Sequence, residues 1–352
     1  MQELTTDRFF EKLTDALNTG VPCVAYRLPG TTMLKAWFQA HDECITTMDY
    51  SEPGFVFAPF DASERSVLFP SAYSEIVVCN YPSLKEEPVS KELLIEPKGQ
   101  ERLDHIALVG KGIDFLKETG YKKVVLSRQQ RIEIEQPNVI ATFKKLLNRY
   151  PAAMGYCWYH PKVGLWLGAT PETLLKIRDN TFTTMALAGT QVYNGTLEVT
   201  WDEKEKQEQQ YVTDFITDRL MNVQRISGPV TVRAGNLVHL CTIIEGALSS
   251  QFTLQRLIAL LHPTPAVCGL PQAEARQFIL ENEHYQRTFY TGFLGELNLD
   301  NDTNLFVNLR CMELVNRKPV LYIGGGITID SDPVNEWEET VSKSKVMLKV
   351  IL

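Results

Sequence analysis

Hydrophobic residues recur at helical spacing in several separate parts of the chain. Over residues 103–119, apolar side chains such as Ile106, Val109 and Ile113 stand three or four positions apart and predict one helix. The same reading predicts helices at about 139–150, 201–223, 251–261 and 272–283, and a last helix that begins near Pro333. Segments with a different pattern separate these helices.

Strand-like runs fill much of the remaining chain. Short apolar stretches stand at 22–28, 54–60 and 75–81, and a β-rich block covers 155–191, in which Asp179–Asn180 would turn a hairpin. Further strands are predicted at 124–134, 304–314 and 319–329. Because strands and helices mix without a regular βαβ rhythm, the sequence predicts one large α+β unit rather than a doubly wound sheet.

Two glutamates on the helix at 201–223 continue its apolar stripe. Thr200 and Glu203 form a capping-box pattern and predict the helix start. Helical steps backward from Val212, which belongs to the apolar stripe, reach Glu208 and then Glu205. These two carboxylates are therefore predicted to face the core.

The last helix repeats this pattern. The apolar stripe that includes Val346 runs back through Lys343 to Glu339 and Glu336, and Pro333 marks the first turn. A carboxylate in a low-dielectric site needs a cation or loses its charge. Four glutamates on two inward faces could hold an oxygen-preferring ion such as Mg²⁺. The alternative is that they are solvated ends of amphipathic helices.

Four other features have a common structural explanation when each is considered alone. Lys123 is typical of a surface strand lysine, Glu172 of a turn after Pro171, and His239 of a hydrogen-bonded core histidine. The glycines at 324–326 follow a strand and precede a helix, which favours an anion-binding turn. They lack the spacing of nucleotide-binding motifs.

Charge and composition narrow the classes of function. The chain has 352 residues and a formal net charge of -8, without the basic stripe typical of nucleic-acid binders. Its seven cysteines are scattered and indicate reduced thiols in a cytoplasmic protein. No apolar run approaches the roughly 20 residues of a membrane span. An acidic protein of this kind needs a metal or local cations if its substrate is an anion.

Seven short motifs follow one another in an order that resembles the chorismate-utilising enzymes and, within them, the isochorismate synthases. They are KVVLSR (123–128), GATPE (168–172), LAGT (187–190), KExxE (204–208), HPTPAVCG (262–269), the Arg287–Tyr290–Gly292–Gly295 run and GGGI…EWEET…K (324–343). GFVFAPF at 54–60 is also similar. The resemblance implies two packed β-sheets flanked by helices, with the site between them. It also implies a chorismate-binding catalytic core at 96–352, with 1–95 as the N-terminal part of the same unit.

The resemblance further implies an isomerisation of chorismate to isochorismate by water addition and loss of the ring hydroxyl. Lys123 would be the general base that activates water, and Glu172 would be the general acid that protonates the departing hydroxyl. Glu172 must then keep its proton at neutral pH, which requires a raised pKa. Base and acid must act on opposite sides of one flat ring.

The same resemblance implies Mg²⁺ as the cofactor, held by Glu208 and Glu339, with Glu205 and Glu336 as supporting or water-mediated partners. It also implies a set of substrate-contacting residues. These are Gly189, Thr190, His239, Ala266, Arg310, Gly324 and Lys343. Arg310, Lys343 and the backbone of Gly324 would hold the substrate's carboxylates.

Alanines at two positions separate branches of the family. Ala188 stands where aminodeoxychorismate synthases carry a lysine, and Ala266 where salicylate and anthranilate synthases tend to carry threonine. We therefore expect no pyruvate release. The alternatives are a salicylate synthase, which would expel pyruvate, and a non-catalytic relative. The expected protein is a monomer or weak homodimer whose product feeds either menaquinone or siderophore synthesis.

Overall fold

The computed structural model describes residues 1–83, 99–134, 137–235, 237–248 and 253–351. Its α-helices are α1 (Thr6–Thr19), α2 (Gly99–Thr119), α3 (Val139–Arg149), α4 (Glu203–Arg219), α5 (Leu254–Leu261), α6 (Gln272–Asn282) and α7 (Pro333–Ile351). Its strands are β1 (Gln2–Glu3), β2 (Cys23–Arg27), β3 (Met33–Gln39), β4 (Thr46–Thr47), β5 (Gly54–Ala58), β6 (Ser66–Pro70), β7 (Ser74–Asn80), β8 (Lys123–Arg131), β9 (Met154–His160), β10 (Gly164–Thr170), β11 (Thr173–Arg178), β12 (Thr181–Val192), β13 (Val223–Ala234), β14 (Leu237–Ala247), β15 (Gly269–Leu270), β16 (Phe293–Leu299), β17 (Asp302–Val307), β18 (Cys311–Val315) and β19 (Lys318–Ile327).

The strands form two sheets. One has the order β1-β7-β3-β2-β9-β10-β18-β19-β8-β15, and the other has the order β13-β14-β12-β11-β17-β16-β5-β6-β4. Aromatic side chains from both sheets pack in one core, for example Trp158 against Phe69 with ring centroids 5.4 Å apart. Buried apolar surface of this kind stabilises the face-to-face packing of the sheets.

Helices cover the outer faces of both sheets. Apolar residues of α1, α3 and α7 pack on the first sheet, and those of α4 and α5 pack on the second. Helices α2 and α6 pack against β8. The predicted α+β fold with two packed sheets flanked by helices is confirmed. No helix in the described ranges is both long and apolar enough to cross a membrane.

The start of α4 differs from the prediction. The N-cap is Asp202, whose side chain accepts from the backbone N–H of Glu205, while the Glu205 carboxylate accepts from the backbone N–H of Asp202. The predicted capping box of Thr200 and Glu203 was therefore wrong by two residues. The helix also ends at Arg219, because β13 already begins at Val223.

The predicted strand at 304–314 is two strands. β17 belongs to the second sheet and β18 to the first, and Arg310 between them has a positive φ of 47°. The run is apolar on both sides of this bend, so its pattern gives no sign of a break. The bend is important because it carries the chain from one sheet to the other.

Two further predictions concern turns. The Asp179–Asn180 hairpin is confirmed, with φ values of 46° and 64° between paired Arg178 and Thr181. The glycines at 324–326 were predicted to form a turn, which is wrong, because they lie within β19 and pair with β8. The predicted division at 95/96 and the first residues of the helix predicted at 251–261 lie outside the described residues.

Candidate active site

A cavity of about 190 Å³ lies between the two sheets. Side chains or backbone from both sheets, from α4 and α7 and from the connecting loops line it. The residues predicted from the sequence that line it are Lys123, Glu172, Gly189, Thr190, Glu205, Glu208, His239, Ala266, Arg310, Gly324, Glu339 and Lys343. Glu336 does not line the cavity but is buried beside it.

Lys123 is the first residue of β8 and is only 2% exposed. Its Nζ lies 3.0 Å from Oε2 of Glu208, which links the first sheet to α4. Beside it, a Cβ on Gly326 would lie 2.6 Å from Cε of Lys123, so a larger residue there would displace the end of the lysine side chain. The alternative of a surface lysine is therefore wrong, while its role as the general base stays a prediction.

Glu172 lies in the short connection between β10 and β11, where the chain passes from the first sheet to the second. It is 3% exposed, and burial raises its pKa to about 8, although the positive charges of Arg310 and Lys123 oppose that rise. The raised pKa that a general acid requires is therefore present. Its role as that acid stays a prediction.

Three carboxylates, of which Glu336 is buried and Glu208 and Glu339 are partly exposed, approach one stretch of β19. A Cβ on Gly325 would lie 3.4 Å from Oε2 of Glu336 and 3.7 Å from Oε1 of Glu339, and one on Gly326 would lie 2.8 Å from Oε2 of Glu208. The glycines of this motif thus allow side chains from α4 and α7 to come close to the strand. The prediction that these glutamates face inward is confirmed.

Lysines neutralise these carboxylates. Nζ of Lys204 lies 2.8 Å from Oε1 of Glu336 and 4.0 Å from Oε1 of Glu208, and Nζ of Lys343 lies 2.5 Å from Oε1 of Glu339. Lys204 was not predicted as a site residue, although it belongs to the KExxE motif. No group of three or more His, Cys, Asp or Glu side chains in the described ranges has the geometry of a metal site.

The chemistry of this donor set nevertheless fits Mg²⁺. Carboxylate oxygens on two helices are hard ligands of the type that Mg²⁺ prefers. Burial and the neighbouring charge of Glu339 raise the pKa of Glu336, which shows that negative charge is concentrated here. A divalent cation would relieve that repulsion.

Glu205 has a different environment from the other three glutamates. Its Oε2 accepts from Nε2 of Gln191 at 2.7 Å and from the backbone N–H of Asp202 at 3.1 Å. The second contact completes the capping box of α4. A structural task therefore accounts for the inward direction of Glu205 without a metal.

His239 on β14 presents an acceptor to the cavity. Its Nδ1 lies 2.7 Å from the carbonyl oxygen of Gly189 and must therefore donate a proton to it. Burial, assisted by the charge of Arg310, lowers the pKa of His239 to about 3, so the ring is neutral. Its buried Nε2 has no protein partner among the described residues and can accept a hydrogen bond from a ligand.

The basic groups predicted to hold carboxylates also meet here. Arg310 lies at the bend between β17 and β18, and Nζ of Lys343 donates to the carbonyl oxygen of Gly324 at 3.0 Å. Tyr290 and Thr291 line the cavity as well but were not singled out as site residues. These cations bring positive charge into an acidic protein at the place where an anion would bind.

A buried lysine, a buried glutamic acid with a raised pKa and a set of paired charges surround one cavity, an arrangement typical of an enzyme site. A sequence model of the family described as "Chorismate binding enzyme" matches residues 70–352. The chain belongs to this family of chorismate-binding enzymes.

Several known proteins are similar to this chain. The isochorismate synthase EntC of Escherichia coli (strain K12) is 31% identical over 246 residues, which cover 65% of this chain and 62% of EntC. The isochorismate synthase MenF of Bacillus subtilis is 28% identical over 285 residues, which cover 77% of this chain and 59% of MenF. In both alignments the chain spans less than two thirds of the relative's length.

A solved structure supports the fold. The menaquinone-specific isochorismate synthase MenF from Escherichia coli superimposes with a TM-score of 0.77 at 22% sequence identity. The match covers 94% of this chain and 89% of that one. At this level of identity the similarity concerns the arrangement of the two sheets and their helices.

Proposed function

We propose that the protein is an isochorismate synthase, which isomerises chorismate to isochorismate by adding water and expelling the ring hydroxyl. The family membership and the names of the relatives support this assignment. The observation that carries it is the placement of two buried proton-transfer groups, Lys123 from the first sheet and Glu172 from the link between the sheets, in the wall of one cavity.

The chemistry requires such a pair. Water is a poor nucleophile and hydroxide is a poor leaving group, so a base and an acid must act in the same turnover. As the general base, Lys123 would take a proton from a water molecule while the water oxygen attacks the carbon beside the carboxyl-bearing one. Glu172, protonated below its pKa of about 8, would give its proton to the departing hydroxyl. Each group of this kind contributes roughly 10²–10⁴-fold to a rate.

Mg²⁺ would be held by Glu208 and Glu339, with Glu336 buried beside them as a supporting partner, whereas Glu205, which the sequence also suggested, caps α4. When bound, the ion would supply positive charge for the ring carboxylate of chorismate. Arg310, Lys343 and the backbone of Gly324 would bind the substrate's carboxylates, and Gly189, Thr190, His239 and Ala266 would line the remaining wall. The cavity contains both cations and carboxylates, which supports the assignment of separate residues to the metal ion and to the substrate's carboxylates.

The product of the reaction tests the proposal. Pure protein is incubated with chorismate and Mg²⁺, and the products are separated by chromatography and identified by mass spectrometry. Isochorismate without pyruvate is the expected result. Stoichiometric pyruvate in a coupled lactate dehydrogenase assay would indicate a salicylate synthase, and unchanged chorismate would indicate a non-catalytic relative.

We also propose a cytoplasmic location and a monomer or weak homodimer. All seven cysteines are unpaired, and six of them are buried, which is typical of a reducing compartment. Size-exclusion chromatography with light scattering would measure the mass of the assembly. A stable tetramer would contradict the second part.

A further inference from the structure

Strand β8, which begins with Lys123, has an incomplete neighbour on one edge. Along its other edge, β19 pairs with it from Val124 to Arg131. On the incomplete edge, β15 pairs only with Lys123 and Val124. Buried backbone N–H and C=O groups beyond that point need other partners, because an unpaired buried group is costly.

Two side chains supply these partners. The backbone N–H of Ser127 donates to Oε1 of Glu283 at 2.7 Å, and Nη2 of Arg287 donates to the carbonyl oxygen of Val125 at 2.7 Å. The carboxylate thus accepts where a strand carbonyl would accept, and the guanidinium donates where a strand N–H would donate. Together they continue the hydrogen-bond ladder that β15 leaves unfinished.

The two side chains form a rigid unit. Nε of Arg287 lies 2.7 Å from Oε2 of Glu283 and Nη2 lies 2.6 Å from Oε1, so the pair is bidentate. Both side chains are almost fully buried, at 2% and 1% exposed. A bidentate guanidinium–carboxylate pair fixes direction as well as distance, which a lysine cannot do.

Arg287 also contacts other residues of the cavity wall. Its Nη1 donates to the carbonyl oxygen of Val267 at 2.9 Å and to Oγ1 of Thr291 at 3.3 Å. Val125, Val267 and Thr291 all line the cavity. One guanidinium therefore connects three separate parts of the wall, although neither Arg287 nor Glu283 lines the cavity itself.

We propose that Glu283 and Arg287 are a positioning pair, which replaces a missing neighbour strand along β8 and fixes Lys123 relative to the wall at Ala266 and Val267. The pair acts through the backbone and does not touch the substrate. This inference rests on the proposed function, in which Lys123 is the general base. A small displacement of such a group lowers the rate of the chemical step more than it weakens binding.

Arg287→Lys tests the pair, because it keeps the positive charge and removes the bidentate contact with Glu283. We expect kcat to fall about tenfold or more, since misplacement of about 1 Å costs up to about 10²-fold. KM should stay within about threefold, because Arg310 and Lys343 lie on other elements. Hydrogen exchange followed by mass spectrometry should show faster exchange in β8 peptides that contain Ser127.

Glu296→Gln is the matched control. Glu296 is also buried, and it accepts from Oη of Tyr26 and Nζ of Lys35, both at 2.6 Å. None of these three residues lines the cavity. We expect this variant to melt at a lower temperature with wild-type kcat and wild-type exchange in β8. Should Arg287→Lys not fold, Glu283→Gln keeps an acceptor for Ser127 and is expected to show the same split between kcat and KM.

The outcomes separate the two proposals. A variant of the pair that melts early, like the control, but keeps wild-type kcat and wild-type β8 exchange would overturn the positioning role. Wild-type protein that leaves chorismate unchanged would overturn the proposed function instead. In that case the exchange measurement alone decides, and unchanged β8 exchange in both pair variants would overturn the strand-replacing role.

Discussion

Glu172 and Glu339 line the same cavity, but their pKa values are shifted in opposite directions. Glu172 has no ion-pair partner in the described part of the chain, and burial raises its pKa to about 8. Burial also acts to raise the pKa of Glu339, but the ammonium group of Lys343, 2.5 Å from its carboxylate, lowers that pKa overall. One carboxyl group is therefore neutral at neutral pH and the other is charged.

The ion pair with Lys343 accounts for the lowered pKa of Glu339. Such a pair is not sufficient by itself, because burial and the charge of Glu339 raise the pKa of Glu336 despite its ion pair with Lys204. Burial acts to raise the pKa of both Glu172 and Glu339, although the Glu339 side chain is 31% exposed, so burial alone does not explain their opposite shifts. A neutral carboxylic acid can give a proton to a leaving group, and a charged one can hold a metal ion. Environments that push two pKa values apart are a recognised way to divide acid and ligand roles within one site.

Removal of divalent cations should have the largest effect, because it would take away the ion that Glu339, the charged member of the two glutamates, is proposed to bind. Chelation with EDTA should abolish turnover, and added Mg²⁺ should restore it. Mg²⁺ should also raise the melting temperature of the wild type but not that of Glu339→Gln. Full activity in a preparation shown to be metal-free would rule out the metal assignment of Glu208 and Glu339.

Replacement of either proton-transfer group should have the next largest effect. We expect Lys123→Ala and Glu172→Ala each to lower kcat by about 10²–10⁴-fold, the usual contribution of a general base or acid. Circular dichroism would check that both variants are folded. Lys122→Ala is a control, because Lys122 is the adjacent but exposed lysine and its loss should leave kcat within a few-fold of wild type. A similarly small effect at Lys123 would remove it from the mechanism.

The pH dependence should reflect the pKa of Glu172. As an acid, it is active when protonated, so kcat should fall about tenfold per pH unit above a pH of about 8. Since its folded pKa lies above the ordinary 4.5, its contribution to stability is complete below 4.5 and is lost as the pH rises through about 8. Glu172→Gln should therefore gain melting temperature relative to wild type on the alkaline side. An equal difference at acidic and alkaline pH would contradict the raised pKa.

Periodicity in the sequence was sufficient to identify the inward glutamates. A stripe of period 3.6 marks one face of a helix, and Glu208 and Glu339 continue such stripes whatever the tertiary structure is. The same rule could not assign Lys204, because a lysine near a helix end can extend into solvent or toward buried carboxylates. Only the approach of α7 to α4 decides between these directions.

Other features depend on contacts between distant parts of the chain. The bend at Arg310 interrupts an apolar run that contains no glycine or proline, and it exists because β17 and β18 belong to different sheets. Strands β13 and β14 were not predicted, and β13 has no buried position that would produce an alternating pattern. The role of the glycines at 324–326 also required the structure, because their neighbours are side chains from α4, α7 and β8.

Of the four inward glutamates, Glu205 should have the smallest effect on activity when it is replaced. This prediction tests whether Glu205 acts as a metal ligand or only as the cap of α4. Its carboxylate caps α4, so Glu205→Gln, which keeps an acceptor at the same position of the capping box, should be close to wild type in both kcat and stability. Glu205→Ala should lower the free energy of unfolding by about 1 kcal/mol, the usual cost of a lost cap, without changing the Mg²⁺ concentration that gives half-maximal activity. Glu208→Gln is the parallel variant one turn further along the helix, and it should raise that concentration strongly. Urea unfolding and Mg²⁺ titration of activity would measure the two quantities separately. A large shift in the Mg²⁺ requirement of Glu205→Gln would show that Glu205 supports the metal in addition to capping the helix.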